Sequence, residues 1–150
     1  MNEYLTMSKW VLYSLVSVGI NLLFVFGKCI AADPVNFERE VLPIFYHHCF
    51  ACHSEKQDKP KGGMRLDSKK GIAAGDVIAA GKPDDSELMK RVSLPHSDKN
   101  VMPPLKGGAQ PLNDAERSII RRWIAEGAKT GSWEKFNHRG EALAIDEASY

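Results

Sequence analysis

The chain is short of cysteine, of net charge and of long apolar runs, and each shortage removes a class of function. Its three cysteines are Cys29, Cys49 and Cys52, too few for an iron–sulfur cluster, which ordinarily takes four thiolates. A zinc site would need two further ligands at suitable spacing, and His47, His48, His96 and His138 form no second paired cluster to supply them. Net charge is only +1, from 20 basic and 19 acidic residues, so there is no electrostatic case for nucleic acid. Removing the first 32 residues takes away Lys9, Lys28 and Glu3 and leaves 18 of each sign; a partner of strongly biased charge is not expected. With 150 residues and 43% hydrophobic content, the chain has material for one compact domain, which rules out a large enzyme.

The longest apolar run, Trp10 to Phe26, is broken only by Ser14, Ser17, Gly19 and Asn21; Lys9 precedes it and Ala31 and Ala32 follow. It reads as an export signal cleaved after Ala31 or Ala32. At roughly 17 residues the run sits at the lower limit of a spanning helix, so a membrane tether through residues 10–26 is the alternative. Met7 would serve as a second possible start, with a cleaner basic region before the run. A lipid anchor on Cys29 is disfavoured by the bulky, charged Lys28 before it. The expected organisation is a signal or anchor over 1–32, a domain over 33–130 and a tail over 131–150. The expected location is the periplasm, free or tethered to the membrane.

If Cys29 leaves with the signal, Cys49 and Cys52 remain in an oxidising compartment. They stand in Cys49-Phe50-Ala51-Cys52-His53. Two thiols at this spacing can reach the two vinyl groups along one edge of a haem, and the adjacent histidine then falls under the iron. A disulfide between them would close so short a loop that it constrains little of the unfolded chain. A thioredoxin-like site would need a preceding strand in a βαβ pattern, whereas the residues before Cys49 have helical spacing: Asn36 is a cap, and Phe37, Val41, Ile44 and Phe45 recur as an apolar stripe. Pro43 lies too far into that stripe for a first turn and should interrupt the helix. The motif therefore points to covalently attached haem c, held by Cys49 and Cys52 with His53 on the iron.

Beyond the motif the chain is polar from Ser54 to Pro60 and turns at Lys61-Gly62-Gly63. Asp67 is a candidate cap for a short segment ending at Gly75. Pro83 is expected to open a helix with Leu88, Met89 and Val92 on its apolar side and Arg91 solvated. Met102, in Val101-Met102-Pro103-Pro104, is the candidate sixth ligand, because two prolines stiffen the loop that would aim its thioether. His96 is the rival; Met64 and Met89 sit in patterns that ask for core residues; His47 and His48 are expected at the surface. Asn113 and Glu116 have capping-box spacing, and Ile119, Ile120, Trp123 and Ile124 form a stripe that Gly127 ends. Trp123 is expected to pack on Phe37, and the segment past Gly131 to lie over the surface or be disordered.

Taken together, Phe37, Val41, Pro43, Ile44, the CxxCH string, Lys61-Gly62-Gly63-Met64-Arg65-Leu66-Asp67-Ser68, Gly81-Lys82-Pro83, Met102-Pro103-Pro104 and Leu112 to Gly127 resemble the planctomycete-type cytochrome c domain. The likeness runs from about Phe37 to Lys129. It implies an all-α, class I cytochrome c-like fold with its N- and C-terminal helices packed around one haem, and with His53 and Met102 as axial ligands. It implies electron transfer with donor and acceptor proteins in place of catalysis, a haem enzyme or a sensor with a labile sixth ligand being the competing class. In that family the domain commonly heads a longer protein, so a free-standing carrier and a piece of a larger oxidoreductase both fit. Met64 stands where the family pattern has leucine, a nearly isosteric change that suits the core.

Overall fold

The computed structural model describes residues 33–106 and 110–138. The signal or anchor, Cys29 and the end of the tail lie outside them. Among the described residues the protein is helical with no strand; Ser68 and Lys135 form an isolated antiparallel bridge. No helix among these residues is long and apolar enough to cross a membrane.

The first helix starts where Asn36 caps it, its side chain accepting from the Arg39 amide at 3.0 Å. Its opening turn, Phe37–Val41, is π-helical, and α1 proper follows over Leu42–His48. Pro43 explains the change of winding. It has no N–H for the Arg39 carbonyl, and the Leu42 amide just before it reaches back to Phe37 instead. The expected interruption at Pro43 thus takes the form of a widened turn, and the helix still buries Phe37, Val41, Leu42, Ile44 and Phe45.

After a 3₁₀ turn at Lys61–Gly63, α2 spans Lys69–Ala74. Its cap is Ser68, whose hydroxyl accepts from the Gly71 amide at 3.1 Å. Asp67, the expected cap, faces inward. Gly71 has to be glycine because a Cβ there would meet Arg65 Cβ and the Arg65 carbonyl at 2.8 Å. α3 covers Glu87–Val92, starting later than Pro83 suggested. Pro83 opens a turn in which Ser86 bonds back to its carbonyl at 3.2 Å, and the buried Ser86 hydroxyl accepts from Ala79 at 2.9 Å. Leu88, Met89 and Val92 are buried as expected.

The last helix, α4 (Asp114–Ala125), has the full capping box: Glu116 N–H to Asn113 Oδ1 at 2.9 Å and Asn113 N–H to Glu116 Oε2 at 2.7 Å. It ends at Gly127, where φ is +98°. Trp123 meets Phe37 at 5.5 Å between ring centroids and Phe45 at 5.7 Å, and its indole N–H donates to the Lys129 carbonyl at 2.8 Å. That contact joins the first and last helices, as the two apolar stripes require.

The chain past Gly131 departs from expectation, since Trp133 and Phe136 are core residues. Trp133 sits 4.8 Å from Phe37, and Phe136 sits 5.3 Å from Phe50. An ion network fastens this segment. Asp67, fully buried, accepts from Arg65 Nε at 3.0 Å, from the Glu55 amide at 2.7 Å and from His138 Nε2 at 2.8 Å, while Lys135 pairs with Glu55 at 2.7 Å. Glu55, Asp67 and His138 converge closely enough to suggest a cation site, but Arg65 and Lys135 already neutralise the two carboxylates.

Phe136→Ala should cost about 3–5 kcal/mol, the usual cost of deleting a core phenylalanine, in denaturant unfolding; a loss below about 1 kcal/mol would return the segment to a surface role. Burial pushes the Asp67 carboxyl up, but Arg65, the Glu55 amide and His138 outweigh it and hold the group below the ordinary carboxylate range. A lowered folded value means its stabilisation is complete above about pH 4, the unfolded value, and drains away as pH falls through the folded one. Asp67→Asn should therefore flatten the acid limb of the stability-versus-pH curve.

Candidate functional site

α1 delivers its C-terminus directly to the motif. The Cys49 and Phe50 amides both bond to the Phe45 carbonyl, and the Cys52 and His53 amides both return to the Cys49 carbonyl at 3.1 and 2.9 Å. This single turn bunches the two thiols and the imidazole. The following loop is stitched to the turn, with Lys61 N–H to the Cys52 carbonyl at 3.1 Å and Leu66 N–H to the His53 carbonyl at 2.8 Å.

Beside the turn lies a mostly apolar cavity of about 540 Å³, within the range of roughly 300–1,000 Å³ common for cofactor sites. Cys49, Cys52, His53 and Met102 all line it. Leu88 and Val92 of α3 and Leu112 supply apolar wall, so the apolar side of α3 faces the site as well as the core. Met64 shares this double role, packing on the core and lining the cavity. His96 is exposed and absent from the lining. Arg91 lines the cavity while bonded to Glu87 Oε1 at 2.6 Å, so it is not simply solvated; that pairing holds Glu87 below its ordinary range.

His47 is exposed as expected, but His48 is not. Its side chain is 11% exposed, with Nε2 at 3.0 Å from Glu116 Oε1 and Nδ1 at 2.8 Å from the Gln110 carbonyl. Sequence reasoning missed this residue because its partners lie more than sixty positions away. No local pattern signals such a pair.

The electrostatics suit ligation better than thiol redox chemistry. Both cysteines are free, and burial together with Cys52 pushes the Cys49 thiol up to about 12. Dithiol oxidoreductases need the opposite, a thiolate favoured by its surroundings; the helix before Cys49, in place of a strand, also departs from their pattern. Burial pushes the His53 imidazolium down, although the backbone at Met64 and Lys61 favours it. A neutral imidazole is the form that binds metals. His53 Nδ1 is buried and has no hydrogen-bond partner among the described residues, so some of the ring's bonding capacity is unspent within the protein.

The raised Cys49 value has a direct consequence. In chain produced with free thiols, Cys49 should react with iodoacetamide at pH 8 at least about tenfold more slowly than a solvent-exposed cysteine, since only the thiolate attacks; mass spectrometry of the Cys49 peptide measures it. Equal rates would contradict the burial.

Searches against curated proteins and against solved structures return no match. Residues 49–106 match the family model described as Planctomycete cytochrome C, a segment that begins at the first motif cysteine and extends past Met102. The family implies haem c, and the residues fit it: two free thiols, an imidazole with an unpartnered ring nitrogen and a thioether share one cavity of suitable size and apolar character. Over that segment the chain is similar to the planctomycete cytochrome c family.

Proposed function

We propose that the protein is an exported electron carrier in which Cys49 and Cys52 would hold haem c covalently while His53 and Met102 would ligate its iron. The convergence of all four side chains on one cavity carries this reading, with the family match as its second support. Haem supplies a one-electron couple whose potential follows its axial ligands.

The rest is the work of the chain. Cys49 and Cys52 would fix the position of the cofactor, so that His53 need not hold it by affinity alone. Burial keeps His53 neutral and able to donate a lone pair. Met102, a soft thioether, would favour the reduced state and raise the potential, and it is oriented from Pro103 on one side and by its own amide, bonded to the Arg91 carbonyl at 3.2 Å, on the other. Leu88, Val92 and Leu112 line the cavity with apolar surface, which would lower the solvent reorganisation that accompanies a change of charge. The match to a cytochrome c family supports electron exchange with donor and acceptor proteins as the role of the cavity.

The N-terminal 1–32 segment, as an export signal or as a tether through residues 10–26, would put the domain in the periplasm. The thiols would meet haem there.

Two outcomes test the reading. The exported protein should retain haem through denaturing electrophoresis, and Cys49→Ala/Cys52→Ala should lose that signal. Met102→Ala should abolish the sulfur-to-ferric-iron charge-transfer absorption and lower the potential by on the order of 0.1–0.3 V, a fraction of the roughly 0.8 V that axial ligands span; an unchanged spectrum would remove Met102 from the iron.

A further inference from the structure

We infer that His48 is a positioning residue that clamps the stretch bearing Met102 to the helix bearing the cysteines. The inference rests on the assignment of Met102 as a ligand and extends it to the group that governs how firmly that ligand is held.

His48 immediately precedes Cys49 and ends α1. Met102 and Gln110 belong to the connection between α3 and α4. The near side of this connection is held by the Met102 amide on the Arg91 carbonyl at 3.2 Å. Its far side is held by His48, through Nδ1 and the Gln110 carbonyl at 2.8 Å and through Nε2 and Glu116 Oε1 at 3.0 Å. Glu116 passes the restraint on, because its other oxygen accepts the Asn113 amide at 2.7 Å at the cap of α4. His48 also lines the cavity together with Met102. One imidazole therefore ties together the part of the chain that carries the motif and the part that carries Met102.

Counting protons shows how the clamp closes. The Gln110 carbonyl can only accept, so Nδ1 carries a hydrogen. A second proton must lie between Nε2 and Glu116, either on the ring beside a carboxylate or on the acid beside a neutral ring. At 11% and 7% side-chain exposure, water is poorly placed to replace a lost partner, and a buried polar group left without one is costly. A glutamine at 116 would solve the same problem without the extra proton: its amide N–H can donate to Nε2 of a neutral ring while its oxygen keeps the Asn113 amide.

The test compares His48→Leu, His48→Asn and Glu116→Gln as exported holoproteins, with two readouts. One is the exchange rate of the Met102 backbone amide; the other is the affinity of the ferric protein for added imidazole, which must compete with Met102. His48→Leu should raise amide exchange about tenfold and tighten imidazole binding about tenfold, because the fraction of molecules with Met102 released grows by that factor. Glu116→Gln should stay within about twofold of the parent on both, the clamp being intact. If His48→Leu fails to accumulate, His48→Asn, which keeps a donor toward Gln110 and loses Glu116, should fall between the two. Parent-like behaviour of His48→Leu overturns the inference, and so does a Glu116→Gln protein as loose as His48→Leu. A parent protein without sulfur-to-iron absorption overturns the Met102 assignment instead, and amide exchange then still decides the clamp.

Discussion

The packing of Trp123 on Phe37 is the contact on which the other features depend. The first helix carries the motif at its C-terminus, and the last helix begins with the capping box that holds Glu116. Only if these helices cross with their apolar stripes together does His48 reach Glu116 and does Leu112 reach the cavity wall. Large aromatics suit that junction because each can bury about 150–250 Å², worth roughly 4–6 kcal/mol at 25 cal/mol/Å². Trp133 extends the cluster against Phe37 from the far end of the described chain. The junction thus joins the start of the domain to two neighbouring stretches near its end.

The same burial sets the chemistry. A cysteine pair at this spacing can serve as a disulfide, a redox couple or an attachment point, and the surroundings decide among them. Around Cys49 the environment penalises the thiolate and places a helix end in front of the motif. Around His53 it penalises the imidazolium and leaves a ring nitrogen unpartnered. A thiol kept neutral and an imidazole kept neutral are poor parts for thiol exchange and suitable parts for binding haem. Desolvation works on both groups in the direction of the uncharged form.

A second buried charge, Asp67, serves stability on the other side of the motif. It gathers Arg65, the Glu55 amide and His138, bracing the loop that follows His53 while fastening residues 131–138. A buried carboxylate is tolerated when it is paired and hydrogen-bonded, and here both of its oxygens accept. Arg65-Leu66-Asp67 reads in sequence as a short alternating piece, and Asp67 as a helix cap. The hydroxyl of Ser68 takes the cap, and the carboxylate is free to turn inward.

What could be read in the sequence was local. The Asn36 and Asn113 caps, the Gly127 stop and the effect of Pro43 each depend on backbone bonds spanning a few residues, and each stands in the structure at its expected position. The CxxCH string was legible for the same reason, since the spacing of its three groups is fixed by one turn of chain. Met102 could be nominated because two prolines follow it, but its sharing a cavity with His53 depends on how α3 and the helices on either side meet. Tertiary structure alone brought His48 to Glu116, Asp67 to His138 and Trp133 to Phe37. These pairs join residues more than sixty positions apart, where neither periodicity nor propensity acts. A polar or aromatic side chain looks the same in sequence whether solvent or a distant partner satisfies it, and only the closed fold distinguishes the two.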